Sequence, residues 1–279
     1  MRELNVQLIT DTVAKLCIDA NCYLPADIRR RLENMAQAET WPVACGILDQ
    51  IRENYLLAEE CATPICQDTG LACVFLEIGQ DVHITGDLHK AVDAGVRKGY
   101  IQGYLRKSAV GDPLRRVNTG DNTPAMLYID LVPGDRVKIT VAPKGFGSEN
   151  MSAVKMLRPS DGVEGVKEFV MQTVKNAGPN PCPPIVVGVG IGGTFDKVAL
   201  LAKQALLRSV DVPNPDPYYA RLEAELLEAI NELGIGPQGL GGRTTALAVN
   251  IETMPTHIAG LPAAVNINCH VTRHATEVL

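Results

Sequence analysis

Apolar residues in the first sixty positions recur at helical spacing. Across Trp41–Glu60 they fall at Cys45, Ile47, Leu48, Ile51, Tyr55 and Leu56, an interval that gathers side chains on one helix face. Ahead of this segment, Asp27 is placed to cap a helix beginning at Ile28, since a carboxylate can take up unpaired amides of a first turn. Ala62–Gly70 breaks the period. A short strand over Ala72–Ile78 follows, then a helix from Gly86 to Leu105, with Asp87 near its start and Arg106 just past its end. Met126–Val132 and Arg136–Val141 are β-rich runs parted by Pro133-Gly134-Asp135, residues that favour a turn.

The second half alternates more quickly. A Gly-rich loop, Lys144-Gly-Phe-Gly-Ser-Glu-Asn150, precedes a helix over Gly162–Ala177. The β-branched run Ile185–Val189 leads through Gly190-Ile-Gly-Gly193 into a helix over Phe195–Leu207. Pro213, Pro215 and Pro217 mark an exposed loop or a junction of two lobes near 209–217. An amphipathic helix over Tyr218–Leu233, a second Gly-rich loop over Gly234–Arg243, and strands over Ala246–Glu252 and Ala263–Asn268 complete the chain. Clean strand–helix–strand repetition is missing. The expected class is α+β, or an irregular α/β, with mixed sheets flanked by helices and a helical N-terminal third. Residues 1–279 read as one catalytic domain.

Composition narrows the function. With 279 residues the chain can bury a substantial core. Its net charge of −6, scattered basic residues and 4% aromatic content exclude a basic stripe or stacking platform for nucleic acid. The N-terminus lacks a secretory pattern, and no apolar run reaches the ~18 residues of a membrane span. A cytoplasmic protein is expected. Eight cysteines without a regular framework read as reduced thiols or metal ligands rather than disulfides.

Several constellations carry chemistry. Gly188-Val-Gly-Ile-Gly-Gly193 fits a dinucleotide fingerprint between strand and helix, yet no second strand ending in an acidic residue follows it. A tight strand-to-helix turn is the preferred reading. Asp68-Thr69-Gly70 occurs once, in a helix-rich third, which argues against an aspartyl protease. Cys269, His270 and His274 could be zinc ligands, but consecutive residues on a strand would face opposite ways. Cys182 is bracketed by Pro181, Pro183 and Pro184, whose fixed φ angles stiffen the loop. Together with Cys66 and Cys269 it could hold an iron–sulfur cube by three corners, leaving the fourth iron open. Arg106, Arg115 and Arg116 lie in a polar stretch, where guanidinium forks suit a small dicarboxylate.

Seven strings in order carry a resemblance: Cys66-Gln-Asp-Thr-Gly70, Val117-Asn-Thr-Gly120, Lys144-Gly-Phe-Gly-Ser-Glu-Asn150, Pro181-Cys-Pro-Pro184, Val187-Gly-Val-Gly-Ile-Gly192, Gly234-Ile-Gly-Pro-Gln-Gly239 and Asn268-Cys-His270. From the first helix to the C-terminus the chain resembles the α subunit of two-subunit class I fumarases. These are iron–sulfur hydro-lyases of a group that includes L(+)-tartrate dehydratase.

The resemblance implies that Cys66, Cys182 and Cys269 ligate a [4Fe–4S] cluster. It also implies that Gln67 and Asp68 meet substrate, with Asp68 handling the proton at the hydroxyl. Arg106 is expected to bind a carboxylate, Gly145 and Gly147 to offer backbone N–H donors, and His257 to contact substrate and take part in catalysis. A separate β subunit, higher assembly of αβ pairs, and a role in central carbon metabolism are implied as well. Phe146 departs from the three successive glycines of single-chain relatives. The absence of a Gly-Gly-Gly-Cys form there points to fumarate hydration ahead of tartrate dehydration.

Overall fold

Two units, each built on its own four-stranded sheet, make up the chain in a computed structural model that describes residues 1–279. The first unit comprises Met1–Pro25, Asn54–Gly145 and Arg273–Leu279, and the second Ala26–Glu53 and Phe146–Thr272. Residues 209–217 lie inside the second unit.

In the first unit, β1 (Arg2–Asn5) leads into α1 (Val6–Cys22), capped by Asn5 Oδ1 on Gln7 N at 2.8 Å. The central strand β2 (Leu71–Gly79) is followed by β3 (Val82–Thr85) and α4 (Leu88–Gln102). Asp87 caps α4, its Oδ1 accepting from Lys90 N at 3.1 Å. β4 (Met126–Val132), β5 (Val137–Lys144) and β10 (Ala275–Val278) complete a sheet of order β10-β5-β2-β4, while β1 and β3 pair in parallel. Ala72, Val74, Leu76 and Ile78 alternate into a core shared with Ile9, Val13, Leu16, Val92 and Val96 of α1 and α4.

The two runs separated by Pro133-Gly134-Asp135 are not neighbours. β2 lies between them, parallel to β4 and antiparallel to β5. The turn passes over the end of β2, where Gly79 N donates to Arg136 O and Asp81 N to Gly134 O.

The second unit contains α2 (Ala26–Ala38), α5 (Phe146–Glu149), β6 (Ala153–Leu157), α6 (Gly162–Ala177), β7 (Ile185–Gly192), α7 (Phe195–Ala205), α8 (Pro217–Glu232), β8 (Ala246–Met254) and β9 (Leu261–Asn268). α3 (Pro42–Cys61) begins in it. Asp27 lies within the first turn of α2 rather than ahead of it. One carboxylate oxygen accepts from Ile28 N, and the other from Ser209 Oγ at 2.6 Å and Val210 N at 3.1 Å. The carboxylate therefore ties α2 to the connection after α7.

The sheet order is β6-β9-β7-β8, with β7 parallel to β8 and antiparallel to β9. Ile185, Val187, Val189 and Ile191 meet α6 and α8 through Val166, Val170, Val174, Leu222, Leu226 and Ile230. The other face of β7 carries Gly188 and Gly190, and α7 lies flush on it. A Cβ at Gly188 would stand 2.2 Å from Ala202 O, and one at Gly190 2.3 Å from Val198 O. Gly188 and Gly190 of the fingerprint-like string thus face a helix backbone, while a Cβ at Gly192 would stand 2.0 Å from Met254 O, so close packing accounts for these three glycines. The α+β reading stands, with mixed sheets flanked by helices.

Gly188→Ala should unfold earlier than wild type. The methyl meets a helix carbonyl that cannot move alone, so a loss of about 3 kcal/mol is expected from overpacking. Urea unfolding of the two proteins checks this; equal midpoints would refute the flush packing.

Candidate active site

Cys66, Gln67 and Asp68 lie on the loop between α3 and β2. The loop is fixed at its entry by Ile65, whose N–H donates to Asn21 O at 3.0 Å and whose carbonyl accepts from Asn54 Nδ2 at 2.9 Å. At its exit, successive carbonyls are held from beneath. The Asp68 carbonyl accepts from Arg273 Nη2. Tyr100 shares its hydroxyl proton between Thr69 O at 2.8 Å and Gly70 O at 3.0 Å, and Asn122 Nδ2 adds a bond to Gly70 O at 3.2 Å. Burial, with nearby Cys17, pushes the Tyr100 hydroxyl well above its ordinary pKa, so it remains a donor.

The side chains of the loop are oriented as well as its backbone. Asp68 Oδ1 accepts from Gly70 N at 3.0 Å. A Cβ on Gly145 would come within 3.0 Å of Asp68 Oδ2, a tight contact that glycine avoids. Thr69 Oγ1 accepts from Arg106 N at 2.9 Å and donates to Arg106 O at 3.1 Å. This places Arg106 next to the loop, with an exposed side chain and no carboxylate of the chain paired to it. Gln67 is exposed, and its Oε1 accepts from Cys66 Sγ at 3.2 Å. The first unit therefore gathers Cys66, Gln67, Asp68, Arg106 and Gly145.

In the second unit three loops meet at the N-terminal end of β7. Cys182 takes φ +54°, a left-handed conformation uncommon outside glycine. Its carbonyl accepts from His270 N at 3.3 Å and lies 3.0 Å from His270 Nδ1. Gln238 donates to Pro183 O through its backbone N at 2.8 Å and its Nε2 at 3.0 Å, and that Nε2 lies 3.2 Å from His270 Nδ1. Cys269 O accepts from Thr272 Oγ1 at 2.9 Å. Gly147, in the short turn α5, faces Asn180 O, 3.6 Å from the position of an added Cβ. Glu149 and Ser152 bind Asn266 Nδ2 at 2.6 and 2.8 Å, fixing β9 just before Cys269.

Glu39 anchors the second Gly-rich loop from below. One oxygen accepts from Thr40 N and Trp41 N at the start of α3, and the other from Arg243 N, Thr244 N and Thr244 Oγ1 at 2.8–3.0 Å. Burial raises its pKa, but these donors outweigh burial and hold it below the usual value.

His257 lies elsewhere. It is exposed on the segment after β8, where Thr256 Oγ1 donates to Gly193 O at 2.9 Å, at the C-terminal end of β7. Cys182 and Cys269 lie at the opposite end, since Val186 pairs with Asn268 while Ile191 pairs with Ala263. At about 3.3 Å per residue, roughly 17 Å of strand separates those rows. The second unit thus brings together Cys182, Cys269 and Gly147 but not His257. Ala259 N donates to His257 Nδ1 at 3.1 Å, which leaves Nε2 to carry the proton of the neutral ring.

All eight cysteines are free thiols. Cys17, Cys22, Cys45, Cys61 and Cys73 lie within helices or strands, whereas Cys66, Cys182 and Cys269 lie in loops, none of them buried. Cys269 and His270 follow the last residue of β9, so alternation across a strand does not govern them. Neither unit by itself gathers three His, Cys, Asp or Glu side chains as ligands of a single ion.

Sequence reasoning singled out the loop side chains and passed over what holds them. Tyr100, Asn122, Gln238, Glu39 and Arg273 act through contacts distant in sequence. Asn122 left a local signal in the polar run Asn118-Thr-Gly-Asp-Asn122, and Gln238 one in the string Gly234-Ile-Gly-Pro-Gln-Gly239.

Residues 10–278 match the family described as Fumarate hydratase (Fumerase). The chain is 46% identical over 277 residues to a protein of Methanocaldococcus jannaschii named "Putative L(+)-tartrate dehydratase subunit alpha", covering 96% of each chain. It is 34% identical over 275 residues to L(+)-tartrate dehydratase subunit alpha of Escherichia coli O157:H7, covering 97% of this chain and 90% of the relative. The corresponding protein of Escherichia coli K12 is 33% identical over the same length. No helix is long and apolar enough to cross a membrane.

Because the Glu39 pKa is depressed in the folded state, its contribution is present above the unfolded value near 4.5. It is lost as pH falls through the folded value. Glu39→Gln should therefore melt below wild type at pH 7, with the gap closing as acid protonates wild-type Glu39. Melting curves from pH 7 to pH 3 test this, and a gap independent of pH would count against the charged anchor.

Proposed function

From the premise that this chain belongs to the fumarate hydratase (Fumerase) family of hydro-lyases, we propose that it is the α subunit of a [4Fe–4S]-dependent fumarate hydratase. It would interconvert fumarate and (S)-malate, completed by a separate β subunit and assembled in αβ pairs. The observation that carries the reading is the first-unit loop. Its backbone is held at three successive carbonyls, with the Asp68 carboxylate beside Gly145 and Arg106 bonded to the adjacent Thr69.

The donor set fits an iron–sulfur group. The three thiols on loops are those of Cys66, Cys182 and Cys269, which would supply its thiolates. When bound, the cluster would contribute Lewis-acid chemistry at its open corner. Asp68 would give or take the proton at the substrate hydroxyl, held by Gly70 N in a fixed orientation. Arg106, free of internal carboxylates, would grip one end of the dicarboxylate. Gln67 would add a polar contact, and the Gly145 and Gly147 amides would meet charge developing on the substrate carboxylate when carbon loses its proton. His257, at the far end of β7, is left out of this constellation. The remaining cationic groups and the base at carbon would come from the β subunit.

A second reading is L(+)-tartrate dehydratase. The names of relatives at 33–46% identity favour it, and its chemistry uses the same inventory on another hydroxy-diacid.

Anaerobic reconstitution should give a brown protein with about four irons per chain, and Cys182→Ser should lower that content. With the β chain present, Asp68→Asn should cut turnover by about 10²–10⁴-fold at unchanged iron. Assays with fumarate, mesaconate and tartrate separate the two readings. Full activity of the α chain alone would rule out the shared site.

A further inference from the structure

Two arginines of this chain, the partly buried Arg208 and the buried Arg273, have surroundings that differ. Arg208, after α7, faces the Glu223 carboxylate and has Glu252 Oε1 at 3.6 Å. Its charge is met inside the protein. Arg273 is 4% exposed and has no carboxylate at all. Its one hydrogen bond goes to the Asp68 carbonyl; Nε and Nη1 lack hydrogen-bond partners in both arginines, so the missing carboxylate is what sets Arg273 apart.

A guanidinium stays charged under all physiological conditions. One carbonyl dipole does not neutralise it, and a buried cation with unused donors costs stability. The neighbours offer no relief. Tyr100 gives its proton to Thr69 and Gly70, and its raised pKa keeps it neutral. Cys17 is buried, with burial raising its thiol to about 12, so it too is neutral. The Asp68 carboxylate turns to Gly70 N and the side of Gly145 rather than to the guanidinium.

We propose that Arg273 is the positioning residue of the Cys66–Asp68 loop, a buried cation whose counter-charge is the anionic group that this loop holds. The inference rests on the hydro-lyase reading, in which thiolate-ligated iron–sulfur and a dicarboxylate bring negative charge to the loop. Arg273 acts from behind, through the Asp68 carbonyl. In the metal-free chain its charge is a liability; in the loaded enzyme it steadies the loop and offsets incoming charge.

The test compares Arg273→Met, Arg273→Lys and Arg208→Met in the full-length chain, metal-free and after anaerobic reconstitution with the β subunit. Arg273→Met should melt at or above the wild-type temperature when metal-free, because an apolar side chain of similar length removes an uncompensated charge. Arg208→Met should melt lower, having stranded Glu223. After reconstitution, Arg273→Met should lose about tenfold or more in iron loading or in kcat, as supporting residues of metal sites do. KM should change far less, and Arg273→Lys should recover part of the loss. A metal-free Arg273→Met that melts as low as Arg208→Met would overturn the proposal, and so would wild-type loading and kcat in that variant. Wild-type protein that takes up no iron would instead sink the hydro-lyase reading. The metal-free comparison would then still decide whether the Arg273 charge is uncompensated.

Discussion

The Cys66–Asp68 loop depends on buried donors that hold a stretch of main chain still by its carbonyls. Residues 68–70 present carbonyls downward to Arg273, Tyr100 and Asn122. These donors are buried, where hydrogen bonds are strong and leaving one unmade is costly. The same loop carries a thiol, an amide, a carboxylate and, through Thr69, a neighbouring arginine.

The second unit meets the same demand by another route. Its thiol loops are positioned by the end of a sheet, and that sheet is packed tightly enough to serve as a base. Gly188 and Gly190 let α7 rest directly on β7, while apolar residues of the alternate face meet α6 and α8. The rows at the N-terminal end of β7 then bring Cys182 and Cys269 together, and His270 and Gln238 fasten the loops at the Cys182 and Pro183 carbonyls. Glu39 fixes the remaining loop with a single carboxylate that accepts five donors. Site geometry here rests on sheet packing rather than on loop composition.

Arg208 and Arg273 illustrate a related economy. Arg208 is paired and reads as part of the scaffold. Arg273 is buried beside the reactive loop without a carboxylate partner, and such an imbalance in a packed interior is informative because burial makes it expensive.

Local pattern was enough to reveal most elements. The helix over Gly162–Ala177 and the strand over Met126–Val132 have the bounds that their periodicity and turn residues require, because each signal is written within a few consecutive residues. The same is true of the chemistry-bearing strings, whose cysteines are the ones in loops. Pairing is different in kind. That β2 separates β4 from β5, that β6 and β10 exist as short edge strands, and that His257 stands at the other end of β7 from Cys182 are outcomes of contacts between distant segments. Arg273 and Tyr100 gain their meaning in the same way. The sequence by itself determined which residues could react and which segments would coil or extend. Only tertiary structure decided which of them share a surface, because a strand's partners and a buried group's neighbours are set by packing across the whole chain.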